Sequence, residues 1–316
     1  MKTGRAGRVP PAPILRPGPC DGEAVTWGAP TRRFYGTIAI LFLAGCIFTQ
    51  TATTPTIDRL LVVDLRPGLE VTEEQARGLE EILARRLGEL PGIVPLTRRD
   101  LVVELGGTIA LGTEYREPGS LARPVLTLPA QLQELGVQIY LIGEVHTFGL
   151  SESFGEIGFR RDEAEVGVEV RLYLALTGEF ITETKTKQLL SQSNTNRWRP
   201  GMVIGPNEEF LDTLEGRASL GAVDKLAEDL GPAFEKTPWS GRITDVEGDT
   251  VILPIGFEEN AAPGDVFVIY SPSGVRGERG SRIGSVRITS VGSGESLAEP
   301  ISGGGFQPGQ LAVQEL

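Results

Sequence analysis

Apolar positions along the chain change pattern near residue 237. From Ile57 to Leu65 they are nearly continuous, with Leu60-Leu61-Val62-Val63 at the centre, as in a strand buried on both faces. Ala76, Leu79, Ile82, Leu83, Leu87 and Leu90 then recur at helical spacing, and Thr72 with Gln75 makes a capping box ahead of them. Pro91-Gly92 ends that helix. Ile93 to Leu96 predicts a short strand, and Thr97 caps a short helix through Leu105. Residues 106–128 read as a long loop containing Gly and Pro. A brief helix from Pro129 to Leu135 and a strand from Val137 to Val145 follow. Val166, Val168, Val170, Leu172, Leu174 and Leu176 share one parity, and Glu165, Glu169 and Arg171 hold the other. That predicts a strand from Glu165 to Leu176 with one buried and one wet face. Thr177-Gly178-Glu179 turns the chain into a polar strand, Phe180 to Leu190. After a loop around Asn194 to Pro206, one long helix is predicted from Asn207 to Phe234.

Helical periodicity ceases after Pro238. Gly241 to Val246 alternates, Glu247-Gly248-Asp249 turns, and Thr250 to Ile255 returns, a hairpin signature. Val266 to Tyr270, Ile283 to Val291 and Leu311 to Val313 supply further strands. The predicted fold class is α+β: a mixed sheet with packed helices over residues 57–236, then a small all-β barrel over 238–316. Gly303-Gly304-Gly305 has neither the strand–helix context nor the Lys of a phosphate cradle and is read as a loop.

Composition narrows the function. With 30 basic against 42 acidic residues the formal charge is −12, a field that repels phosphate backbones and argues against nucleic acid. The one histidine, His146, leaves little room for imidazole chemistry or zinc. No catalytic residue, cofactor or metal is expected, and no enzyme.

The N-terminus reads as an address. Arg32-Arg33 precedes a short apolar run from Ile38 to Ala44, far below the ~20 residues that span a bilayer. The run ends in Leu43-Ala44-Gly45-Cys46, which resembles the bacterial lipobox, with Cys46 as the lipidated residue. Residues 1–45 are then a signal peptide, and 46–56 a lipidated tether. Residues 1–24 do not fit a signal, and the natural start is expected at Val25. Cleavage before Cys46 leaves 24 basic and 40 acidic residues, a charge of −16, so the lipid must do the anchoring. Ile47 in the second mature position points to the outer membrane.

Several segments resemble the CsgG/HfaB family of outer-membrane lipoproteins, which includes the curli secretion channel. They are Leu61-Val62-Val63-Asp64, Ile93 to Leu101, Gly136 to Val145, and Val168 to Glu179 with its Leu176-Thr177-Gly178-Glu179 turn. The C-terminal part resembles the barrel that ends FlgT-type flagellar ring proteins, mainly through Pro263-Gly264-Asp265 before a strand. The resemblance implies a lipid-anchored, periplasm-facing protein that forms homo-oligomers, expected as a ring, with other envelope assembly proteins as partners. Its role would be a non-enzymatic scaffold or accessory subunit for curli-like secretion or flagellar-type appendage assembly. The alternative is an oligomeric secretion channel of the curli type. Two departures weigh on that alternative. Only Arg66 to Val71 joins the first strand to the first helix, where the channel carries its constriction loop. The stretches where membrane hairpins would lie, between His146 and Val166 and between Thr184 and Phe210, lack an apolar parity and are expected to be polar periplasmic loops.

Other candidate chemistry is bland. Glu152, Glu156, Asp162, Glu163 and Glu165 lack a calcium-loop spacing. Asp64 and Asp100 could pair as carboxylates, but a strand end and a helix first turn explain them better. Trp198 between Arg197 and Arg199 reads as an exposed, loop-borne interface anchor.

Overall fold

The computed structural model describes residues 57–107, 111–115, 124–154, 160–192, 196–275 and 277–316. Cys46, the lipobox Leu43-Ala44-Gly45 and the tether lie outside them.

The chain runs β1 (Arg59–Pro67), α1 (Glu73–Leu87), β2 (Ile93–Leu96), α2 (Arg98–Leu105), β3 (Thr113–Tyr115), β4 (Val125–Thr127) and α3 (Ala130–Glu134). Three long strands follow, β5 (Ile139–Phe154), β6 (Arg160–Leu174) and β7 (Phe180–Gln192), then α4 (Glu208–Leu211) and α5 (Leu214–Glu235). The strands lie in the order β2-β1-β5-β6-β7, parallel from β2 to β5 and antiparallel beyond. The even parity of β6 is buried as predicted: Val166, Val168, Val170 and Leu172 pack with Leu61, Val63 and Leu65 of β1 under the apolar stripes of α1 and α5. On the opposite face, Val62, Tyr140 and Tyr173 pack with Leu101, Leu126 and Leu132. Both capping boxes form, at Thr72 with Gln75 and at Thr97 with Asp100.

The rest is β8 (Ser240–Arg242), β9 (Asp245–Glu247), β10 (Thr250–Leu253), β11 (Val266–Tyr270), β12 (Arg282–Val291), β13 (Ser296–Gly303) and β14 (Leu311–Gln314). They form one sheet in the order β8-β14-β11-β12-β13-β10-β9. Strands β8 and β9 are adjacent in sequence yet sit at opposite edges, so the sheet must curl back on itself. The residues between them stitch its margins: Ile243 N–H donates to Gln310 O at 2.9 Å, and Thr244 N–H to Ile252 O at 3.0 Å. The result is a half-barrel around Trp239, whose ring meets Phe267 edge-on at 5.5 Å and 87°. The fold class is α+β, as predicted.

The junction between these parts is polar and buried. Arg59 is 4 % exposed and reaches the C-terminal end of α5, donating from Nη1 to Phe234 O at 2.6 Å and to Thr237 O. It adds a cationic donor at the C-terminal end of α5, where positive charge is favourable. Burial lowers its pKa, with Asp58 opposing.

Several expectations are corrected. The first strand is Arg59–Pro67, and Ile57 packs instead in the half-barrel core. The segment 106–128 contains the β3–β4 ladder, short strands that a Gly- and Pro-rich stretch conceals. Of the two stretches expected as polar loops, the first continues the sheet, β5 and β6 pairing as far as Phe154↔Arg160, while in the second β7 follows β6 to Gln192 and residues 196–206 are loop as expected. Strand pairing there rests on backbone bonds and cross-strand ion pairs, which an apolar-parity test does not detect. The single helix 207–234 is two, because Thr213 accepts from Gly216 N–H and caps a new start at Leu214. Gly241 to Val246 is divided between β8 and β9. Strand β13 was hidden by Pro300, which lies opposite Val286 beside a register shift in β12, where a proline is tolerated. Gly303 ends that strand, leaving Gly304 and Gly305 in the loop.

Candidate functional site

Two charged constellations stand out in the first sheet. The first closes an edge. β2 stops at Leu96, opposite Val62, so β1 continues without a neighbour on that side. Side chains take the place of the missing strand at Leu65. Its N–H donates to Glu80 Oε2 at 3.0 Å, and its carbonyl accepts from Arg98 Nη2. Glu80 also accepts from Arg98 N–H and Nε, each at 2.9 Å. Arg98 passes on toward Asp64, with Nε 3.6 Å from Oδ1, and pairs Glu73 at 2.9 Å. Asp64 in turn accepts from Tyr140 OH at 3.0 Å and Arg66 at 2.8 Å.

Both Glu80 and Asp64 have fully buried side chains. Burial raises the Glu80 pKa against the opposing pull of Arg98. For Arg98, burial disfavours the charge, but Glu80 and Asp64 outweigh it and its pKa rises. Burial, with Asp64 adding to it, holds the Tyr140 phenol protonated well above its ordinary range. The buried carboxylates of Glu80 and Asp64 each face a guanidinium, and Glu80 is also bonded to backbone. The arrangement is suited to holding a strand edge rather than to moving a proton. A groove of about 610 Å³ runs beside it, lined by Arg77, Gly78, Arg98, Val102, Val103 and Ile204.

The second constellation is a ladder on the open face of β5, β6 and β7. Arg171 pairs Glu183 at 2.8 Å, Glu114 at 3.0 Å and Glu169 at 2.6 Å. Lys185 reaches Glu169 at 2.7 Å, and Lys187 reaches Glu165 at 2.9 Å. The bond from Lys185 lowers the Glu169 pKa. His146 stands at the β-bulge in β5, with Nδ1 3.2 Å from Glu144 and Nε2 3.4 Å from Glu169. A tyrosine joins the ladder, Tyr173 OH donating to Glu114 at 2.5 Å.

The sequence-predicted residues divide as follows. Trp198 is not exposed: it is half-buried against the first core, its indole N–H donates to Met202 O at 3.0 Å, and its own N–H donates to Glu215 at 3.1 Å. Arg197 turns inward to Asp162 and to Glu152. Arg199 alone of the three is exposed. Asp162 and Glu152 are thus engaged by Arg197, Glu165 by Lys187, and Glu156 lies outside the described residues. Asp64 and Asp100 do different work, since Asp100 caps α2 by accepting from Thr97 N–H at 2.8 Å. Asp64 lies within β1 rather than at its end. Sequence reasoning missed Glu80, yet a signal existed: it sits on the Ala76, Leu79, Leu83, Leu87 stripe, where a carboxylate requires a buried partner.

No protein-family model and no curated protein matches the chain. Among solved structures, a PelC dodecamer from Paraburkholderia phytofirmans is similar at 18 % identity and TM-score 0.30, over 56 % of this chain and 87 % of that one. Lipoprotein GNA1162 from Neisseria meningitidis is similar at 17 % identity and TM-score 0.32, over 54 % and 99 %. A hypothetical protein from Chlamydia trachomatis is similar at 12 % identity and TM-score 0.36, over 56 % and 98 %. Likenesses this low carry no argument about this chain.

Proposed function

We propose that this chain is a lipid-anchored, non-enzymatic scaffold of the bacterial envelope, held at the outer membrane through Cys46 and facing the periplasm. The observation that carries the reading is Leu43-Ala44-Gly45-Cys46 after Arg32-Arg33 and a short apolar run. With that cleavage the mature charge is −16, so the lipid and not the protein surface would hold the chain at anionic headgroups. The use of charged groups as structural clamps, Arg98 with Glu80 and Arg171 with Glu183, supports the non-enzymatic part. Membership of the CsgG/HfaB family, homo-oligomerisation, and service to curli-like secretion or appendage assembly belong to the same proposal and rest on the sequence resemblance.

The channel alternative would need membrane strands from the β5–β6 hairpin. There Glu152 and Asp162 lie on one parity and Arg161, Glu163 and Glu165 on the other, and Arg or Lys at mid-bilayer costs about 2–4 kcal/mol each. The scaffold reading is therefore preferred.

The test is expression of the full chain in a Gram-negative host fed labelled palmitate. Label on the wild type but not on Cys46→Ser, with the protein sedimenting in outer-membrane fractions, is the expected result. Absence of label overturns the anchor. A steady conductance of the lipidated protein in planar bilayers would replace the scaffold by the channel.

A further inference from the structure

The first sheet treats its two edges differently. On one side β2 is four residues long and contains Pro95, and beyond it Glu80 and Arg98 satisfy Leu65 with side chains. Short strands, proline and covering groups are the usual means of keeping a strand edge from pairing. On the other side β7 runs for thirteen residues without proline, and among the described residues no strand pairs with its outer edge. Lys185 and Lys187, the charges that would guard it, are drawn to Glu169 and Glu165 of their own sheet. A long edge left open beside a closed one marks a pairing surface.

The geometry points to a second copy of this chain as the occupant, with β7 pairing antiparallel to β7 about a two-fold axis at Thr184. The stretch Thr182-Glu183-Thr184-Lys185-Thr186 is symmetric in its threonines and antisymmetric in charge about Thr184, so it is complementary to itself when reversed. Centred on Thr184, it places Glu183 of each copy opposite Lys185 of the other, and Thr182 opposite Thr186. Residues opposite one another must face the same side of the sheet, so only registers displaced by whole residue pairs compete. Moving the centre to Lys185 sets Lys185 against itself, and moving it to Glu183 sets Glu183 against itself. Opposite charges across strands stabilise and like charges oppose.

The favoured register also extends the existing ladder. Arg171–Glu183 in one copy meets Lys185–Glu169 in the other, giving an alternation of sign across four strands, β6 and β7 of each copy. On the helix side, Thr182, Thr184 and Thr186 meet beside α5, whose exposed charges there are internally matched: Lys225 holds Glu228 and Asp229. A two-fold contact of this kind closes at two copies. It goes beyond the scaffold reading and needs only the strand edge, so its test is independent of lipid on Cys46.

The experiment uses the full chain in detergent, with cysteine placed on β7 and mild oxidation. Thr184→Cys is expected to link to itself, with the 184–184 peptide identified by mass spectrometry, because antiparallel neighbours lie within disulfide reach. Thr182→Cys mixed with Thr186→Cys is expected to link 182 to 186, and Thr186→Cys alone to form no 186–186 link. Sedimentation then reads the charge term. Lys185→Glu should weaken the dimer about tenfold or more, and adding Glu183→Lys should restore part of it, since opposite signs return between copies while Arg171 and Glu169 lose their own partners. Monomers at tens of micromolar, oligomers without the 184–184 link, or a dimer indifferent to Lys185→Glu with circular dichroism unchanged would each overturn the proposal.

Discussion

Replacing Arg98 by Met tests whether the closed edge of β1 rests on charge. The substitution keeps the aliphatic stem and removes the guanidinium. Glu80 retains two backbone donors, Leu65 N–H at 3.0 Å and residue 98 N–H at 2.9 Å, and Asp64 retains Tyr140 and Arg66. The Leu65 carbonyl loses its side-chain donor, which costs about 1–3 kcal/mol. Leaving a buried carboxylate without its cation costs about 3–5 kcal/mol, and the surviving donors place the total near the lower end, about 3 kcal/mol.

That loss depends on pH, and its sign follows from the direction of the Glu80 shift. Its folded-state pKa is already raised by burial with Arg98 opposing, and removing Arg98 raises it further. A carboxyl raised on folding holds its proton longer in the native state. Stability is therefore fullest below the unfolded value and declines as pH rises through the folded one. Arg98→Met should trail wild type least near pH 4.5, where mainly the loss of the donor to the Leu65 carbonyl remains, and fall furthest behind at pH 7–8. Urea denaturation followed by far-UV circular dichroism at several pH values measures this. Adding Glu80→Gln, which keeps an acceptor for Leu65 N–H and carries no charge, should flatten the pH dependence. A loss under about 1 kcal/mol, or one equal at pH 5 and pH 8, would refute the account.

Other outcomes follow from single contacts. Trp239→Ala should cost about 3–5 kcal/mol by emptying the half-barrel core, while Trp239→Phe should cost much less, since the buried indole N–H has no partner to lose among the described residues. Thermal melts of the two variants make the comparison. Gly178→Ala should destabilise and displace β4, because φ is +75° and an added Cβ would stand 2.1 Å from Leu126 O. Hydrogen exchange at the Leu126 amide, which donates to Gly178 O at 3.1 Å, should accelerate in that variant, and unchanged protection would exclude the contact.

Legibility followed locality. The capping boxes at Thr72 and Thr97 were readable because the partner lies three residues away. The buried parity of Val166 to Leu172 was readable because it is a period-two signal in one strand. Trp198 misled because neighbouring arginines suggest exposure, whereas its environment is set by Met202 and by Glu215 on α5. Arg197 misled for the same reason, its partner Asp162 lying 35 residues away.

By itself the sequence determined the acidic balance, the α+β class, and most helices and strands, since each depends on composition or on short-range period. Only the tertiary structure decided which edge of the sheet is closed and which is open. Strand order β2-β1-β5-β6-β7 brings Glu80 and Arg98, 18 residues apart, to the backbone of Leu65, and leaves β7 at the margin. It also decided that β8 and β9, neighbours in the chain, sit at opposite edges of a curled sheet. Pairing partners are chosen by backbone hydrogen bonding and burial across the whole molecule, and a linear pattern does not carry that choice.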